Sequence, residues 1–171
     1  QLFTSKYAAI LNISPDHLER HKSLRNYILA KLKLIKNQKK NSIAFINKHN
    51  NYLEKEIKKN KYKSKIIKIN TKLKDKFVNS FQNNYFSSKS NRENLAFIIE
   101  IAKKLKIKRN ILGATVKNFK GLKYRQQVIF ENKNILIIND SKSTSYSSTI
   151  EMLKKLKNIY WLLGGMPKKR G

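Results

Sequence analysis

An α/β layered fold with mostly parallel sheets is what this sequence predicts. Three observations carry that expectation. Short apolar, β-branched runs of strand length stand at YAAILNI (residues 7–13), SIAFIN (42–47) and KIIKIN (65–70). Stretches with apolar residues at helical spacing separate them, and strands alternating with helices read as parallel pairing through crossovers. The first run breaks at Ser14-Pro15 and a later one, NILIIND, stops on Asp140, as buried strands do on entering loops.

Residues 24–36 read as a helix: Leu24, Tyr27, Ile28, Leu32 and Ile35 recur at helical spacing behind Ser23, a plausible N-cap. Residues 52–59 follow the second strand as a short helix. Residues 71–90 are polar and irregular, with room for an edge strand. Residues 91–106 give the clearest helix, Leu95, Ile98, Ile99, Ala102 and Leu105 lining one face, and a shorter helix follows at 111–118. The texture shifts at Gly121. QQVIFENKNILIIND reads as two strands around a tight turn at Asn132 and Lys133, a helix spans 147–156, and IYWLLGG (159–165) closes the chain as a strand. A domain boundary is expected at Lys120-Gly121.

The chain starts on Gln1, so a piece of a longer protein is expected. It has no cysteine, which excludes disulfides and thiolate metal sites and suits a reducing cytoplasm. No apolar run reaches membrane-spanning length, and no charged-then-apolar leader opens the chain. Lys and Arg total 39 against 10 Asp and Glu, a net charge of +29, which is the footprint of a nucleic-acid binder. Yet only six of the 39 are Arg, the residue that forks onto phosphates and guanine edges, and the Lys residues are strewn among Asn and Ile. AT-rich codons supply that mixture, so the charge reads as coding bias on a solvated surface.

Three short stretches carry chemistry. NISPDHLERH sits past a strand's C-terminal end, where open α/β sheets hold ligands, and offers Asp16, His17, Glu19, Arg20 and His21. NDSKSTS brings a carboxylate, an ammonium and hydroxyls into one turn; by itself this also reads as a solvated turn with a helix N-cap. LLGGMPKK ends a strand in two glycines followed by lysines, the shape of an anion contact or of an ordinary turn.

Taken together and in order, ILNISPDHLERH with YILAK (27–31), FKGLKYR (119–125), NDSKSTS and LLGGMPKK resemble the Mur ligases. NDSKSTS resembles the branch that joins D-glutamate to UDP-N-acetylmuramoyl-L-alanine. Other branches carry Asp-Tyr-Ala-His or Asp-Tyr-Gly-His type strings there, and the related folylpolyglutamate synthetases Asp-Gly-Ala-His-Asn. The resemblance implies a three-layer, mostly parallel sheet of the family's central, ATP-binding domain over residues 1–120, without its phosphate-loop part. It implies the start of an α/β Rossmann-like, glutamate-binding C-terminal domain over 121–171.

It also implies a chemistry and a set of roles. ATP phosphorylates the nucleotide-peptide's carboxylate, and the amine of D-glutamate attacks the acyl phosphate, in peptidoglycan precursor synthesis. Asp140 and Lys142 would sit at the nucleotide, with Arg125 reaching the phosphates and Asn91 and Asn94 contacting the base side. Thr144 and Lys168 would hold D-glutamate. His17 would bind substrate or Mg²⁺, and Lys31 would act as a carbamate, since an ammonium cannot ligate a cation. ATP and Mg²⁺ are the implied cofactors, small molecules the only partners, and a cytoplasmic monomer the implied state.

Departures from the family's pattern are plain. Ser90-Asn91 stands for the usual His-Asn, Glu19-Arg20-His21 for Asp-Arg-His, and Ser145 for the Asn that often follows the Thr. No G-x-x-x-x-G-K-[ST] loop occurs in the 171 residues, so the chain alone is expected not to catalyse ligation. Two alternatives remain: a related amide ligase using another amino acid, and a basic nucleic-acid binder on a worn ligase scaffold.

Overall fold

The computed structural model describes residues 3–15, 18–74, 76, 79–144 and 146–165. They divide into two compact units: one of the described residues within 3–73, 93–106 and 165, the other of those within 74–92 and 107–164.

The first unit is built on a parallel three-stranded sheet, β1 (Tyr7–Ile10), β2 (Ile43–Asn47) and β3 (Lys65–Ile69), in that spatial order. Its ladders run Tyr7–Ile10 against Ile43–Ile46, and Ile43–Asn47 against Lys65–Ile69. The crossovers are α2 (Leu24–Lys36), preceded by the single turn α1 (Leu18–His21), and α3 (Asn51–Lys59). Successive strand residues point to opposite faces, and the core follows that alternation. Ile10, Ala44 and Ile46 pack with Tyr27, Ile28, Leu32 and Ile35 of α2 and Leu53 of α3. Phe45 and Ile69 face the other way, onto Ala96 and Phe97 of α4 (Lys89–Lys104). Helices thus cover both faces of the sheet, which is the expected three-layer arrangement.

Local chemistry sets the helix starts. The Ser23 hydroxyl accepts Asn26 N–H at 3.1 Å, capping α2 on the residue the pattern indicated. The Asn50 side chain caps α3 through Leu53 N–H at 3.1 Å, and its amide also donates to Ile13 O at 2.9 Å. One asparagine therefore starts a helix and pins the loop that leaves β1.

The second unit holds a 3-10 turn at Asn84–Ser87, then α5 (Arg109–Asn118), β4 (Gln127–Glu131), β5 (Leu136–Asn139) and α6 (Tyr146–Leu153). The two strands pair antiparallel, and the register slips between Val128 and Phe130, a bulge at Ile129. The Asn132 side chain closes the hairpin by accepting Asn134 and Ile135 N–H at 2.9 and 2.8 Å.

Two expectations need correction. Residues 159–164 form no strand: a strand exists only with a neighbour to pair with, and among the described residues none lies beside this run, leaving Tyr160 and Leu162 almost fully exposed. Among the described residues of 71–90 there is no edge strand either. Asn83 organises that stretch instead, its Oδ1 accepting Tyr85 N–H at 2.9 Å to start the 3-10 turn.

Candidate functional site

In the first unit the C-terminal rim of the sheet is held by asparagines. Asn47, at the end of β2, accepts His49 N–H at 2.9 Å and the Thr71 hydroxyl at 3.1 Å. Asn70, after β3, lies 2.7 Å from His49 Nε2 and accepts Lys72 N–H at 3.1 Å. The Thr71–Asn47 and His49–Asn70 bonds tie the exit of β2 to that of β3, while the other two shape each exit locally. Behind that loop, His21 meets the Tyr27 ring edge-on at 5.2 Å, and Lys31 Nζ stands 5.3 Å from the centroid of the same ring. The exposed Lys31 is thus held to α2 by a cation–π contact with this ring.

In the second unit the centre is the turn that carries Arg125. Tyr124 and Gln126, on either side of it, both adopt left-handed backbone angles (φ +65° and +46°), which are costly for residues with a Cβ and persist only where the surroundings enforce them. The enforcing bonds are visible. Arg125 N–H bonds Leu122 O at 3.2 Å, Tyr124 N–H bonds Gln127 Oε1 at 2.9 Å, and Tyr124 O accepts Lys142 N–H at 3.0 Å. Gln126 N–H donates to Asp140 Oδ1 at 2.9 Å. Asp140 Oδ2 takes the Ser143 hydroxyl at 2.7 Å and the Thr149 hydroxyl at 3.5 Å. The carboxylate that ends β5 therefore fastens three segments: the Arg125 turn, its own loop and α6.

Asn91 is buried at the start of α4, its amide donating to Tyr85 O at 2.8 Å and reaching Gln126 Oε1 at 3.5 Å. Burial raises the Tyr85 phenol above its usual pKa; Arg125 opposes that rise and Asp140 adds to it, so both charges act at the Tyr85 hydroxyl. Lys142 Nζ lies 6.0 Å from the centroid of the Tyr124 ring.

Asn91, Arg125, Asp140 and Lys142 thus belong to one bonded cluster in the second unit. Arg125, Lys142 and Thr144 are exposed. Asn94 and Lys31 lie in the first unit. His17 and Lys168 fall outside the described residues. Sequence reasoning missed Tyr85, Gln126, Ser143 and Thr149. Ser143 lies within the NDSKSTS string, but nothing in its pattern distinguishes it; the other three have no motif at all.

The cluster presents two exposed cations on backbone-tied loops, an arrangement that suits an anionic polyphosphate such as that of ATP. Mg²⁺ is another matter. Among the described residues no three His, Cys, Asp or Glu side chains gather, and Lys31 as an ammonium has no lone pair to offer. The described residues in their unmodified state do not fit that ion, and no step is assigned to it.

Comparison with known proteins gives the family. Residues 1–120 match the Mur ligase middle domain. A UDP-N-acetylmuramoylalanine–D-glutamate ligase of Rickettsia felis is 35% identical over 187 residues, covering 99% of this chain and 41% of that protein. The enzyme of the same name from Rickettsia prowazekii is 34% identical over 186 residues, 99% of this chain and 42% of its own length. One from Leptospira interrogans is 32% identical over 178 residues, 94% of this chain and 38% of its own. The chain spans about two-fifths of the length of the curated relatives it matches.

Proposed function

Since the chain belongs to the Mur ligase family, we propose that it is part of an ATP-dependent ligase that adds D-glutamate to UDP-N-acetylmuramoyl-L-alanine in the cytoplasm. The observation that carries this reading is the NDSKSTS loop: Asp140 holds the Arg125 turn while Lys142 and Thr144 stand exposed beside it. ATP, when bound, supplies the phosphoryl group that activates the substrate carboxylate for attack by the amine.

The chain's own residues would do the rest. Arg125 and Lys142 would bind phosphate oxygens as charge-assisted donors, held by the backbone bonds around Tyr124 and Gln126. Asn91 and Asn94 would orient the nucleotide's base, and Thr144 with Lys168 the D-glutamate carboxylates. His17 would contact substrate. Lys31 would serve as a carbamate, which exchanges an ammonium for two oxygen acceptors. The 120/121 boundary would separate the middle domain from the start of a Rossmann-like C-terminal domain.

The test is ADP release by the full-length protein with UDP-N-acetylmuramoyl-L-alanine and a panel of amino acids. Turnover should require D-glutamate, and L-glutamate or meso-diaminopimelate should give background only. Preference for another amino acid would move the protein to the related-ligase reading. The 171 residues contain no phosphate loop, and by themselves should release no ADP. Tight, salt-resistant binding of plain duplex or single-stranded nucleic acid would instead favour the basic-binder reading.

A further inference from the structure

The residues before α4 hold the segment that leads to Arg125, and they do so by three separate means. First, the Asn83 amide donates to Val116 O at 2.6 Å and Phe119 O at 2.8 Å, while its carbonyl takes Tyr85 N–H at 2.9 Å. The last turn of α5 and its exit are thereby bolted to the start of the 3-10 turn. Second, the Tyr85 ring packs edge-on to Phe86 and to Phe119, each at 5.1 Å, and Phe86 stacks on Phe119 at 5.8 Å. Third, Gly121 lies directly against that ring. A Cβ built there would stand 2.9 Å from Tyr85 Cε2, and Gly121 has φ +82°, where side chains other than hydrogen are strained.

Beyond Gly121 the chain enters the turn whose other ties run to Asp140 and, through Gln126, to Asn91. Asn91 in turn donates to the Tyr85 carbonyl. Tyr85 therefore bears on the segment at both ends: its ring directly at Gly121, its backbone carbonyl through Asn91, which reaches Gln126.

We propose that Tyr85, anchored by Asn83, is a positioning residue for Arg125: the ring seats Gly121 so that the Gly121-to-Gln126 segment presents the guanidinium in one orientation. The proposal rests on Arg125 acting at the phosphates. A side chain of leucine size would fill less of the seat and leave the left-handed residues Tyr124 and Gln126 without one of their constraints. The guanidinium would then sample several directions, and its contribution to the reaction would fall without any change to its chemistry.

A double-mutant cycle in the full-length enzyme tests this, using kcat/KM for ATP with D-glutamate and nucleotide-peptide saturating. Tyr85→Leu should lower kcat/KM about tenfold, within the range coupled neighbours show. In an Arg125→Ala background the same change should cost almost nothing, because the group it positions is gone. Tyr85→Phe, which keeps the ring, should restore most of the activity lost in Tyr85→Leu. Should Tyr85→Leu prove too unstable to assay, Asn83→Ala loosens the same anchor and replaces it in the cycle. Equal losses in both backgrounds, with a matching fall in Tm, mean a merely structural tyrosine and overturn the proposal. An Arg125→Ala enzyme with unchanged kcat/KM overturns it too, by removing the phosphate role of Arg125 on which it rests.

Discussion

Gln126 donates its backbone N–H to Asp140 Oδ1 at 2.9 Å, a bond that holds a left-handed residue next to Arg125. Asp140→Ala removes this bond together with those from the Ser143 and Thr149 hydroxyls. Hydrogen bonds to a charged group contribute about 1.5–3 kcal/mol, so the variant should lose at least that much stability in urea unfolding. Asp140→Asn keeps an acceptor for Gln126 and should lose less. Equal stability of Asp140→Ala and the parent would mean the carboxylate holds nothing.

Phe45 is the side chain by which β2 faces α4, and it is 1% exposed. Phe45→Ala should cost about 3–5 kcal/mol, since the large ring leaves a cavity between two rigid layers. Phe45→Leu should cost much less. Denaturant midpoints of the two variants check the layer assignment.

Glu54 on α3 accepts from Lys68 Nζ at 3.0 Å and also lies near Lys58. The Lys68 hydrogen bond, then the Lys58 charge, hold its carboxyl below the usual carboxylate range. A depressed folded-state pKa stabilises above the unfolded value of 4.5, and that contribution disappears as pH falls through the folded value. Glu54→Gln should therefore melt slightly lower than the parent at pH 7 in low salt. The gap should close in strong acid and in high salt, because the pair is exposed and screened. A gap that persists in acid would contradict the assignment.

Lys31→Arg keeps the charge and the stacking partner of Tyr27 but cannot be carbamylated. Ligase activity in the full-length protein should be lost almost entirely. Lys31→Ala should also be inactive and should recover in part when a small carboxylate is supplied. Activity retained in Lys31→Arg would leave Lys31 as a surface lysine on the Tyr27 ring.

What could be read from residues alone follows the kind of interaction that makes each element. The predicted bounds of α2 coincide with the observed ones because a local cap, Ser23, and a strong apolar period agree. β2 and β3 stand within one residue of expectation because their short apolar runs pack against the clusters on both faces of the sheet. The run at 159–164 looks like a strand by composition, but pairing is non-local and no pattern within the run reveals whether a neighbour exists. Residues 71–90 misled for the opposite reason. Among the described residues there, the order comes from the Asn83 side chain bonding the backbone of Val116 and Phe119, far along the chain, which leaves no periodicity to detect. The same holds at the candidate site: the NDSKSTS string stood out by composition, whereas Tyr85, next to Phe86, carries no pattern of its own until Gly121 is seen against its ring.

The most direct test of the account follows the carboxylate oxygen. UDP-N-acetylmuramoyl-L-alanine labelled with ¹⁸O in its alanyl carboxylate is given to the full-length enzyme with ATP and D-glutamate, and the released phosphate is analysed by mass. Activation through an acyl phosphate forms a bond from that oxygen to phosphorus, and amine attack expels the phosphate with the oxygen still attached. One ¹⁸O per phosphate is expected, formed only when D-glutamate is present. Unlabelled phosphate, or labelled phosphate formed equally well with other amino acids, would contradict it.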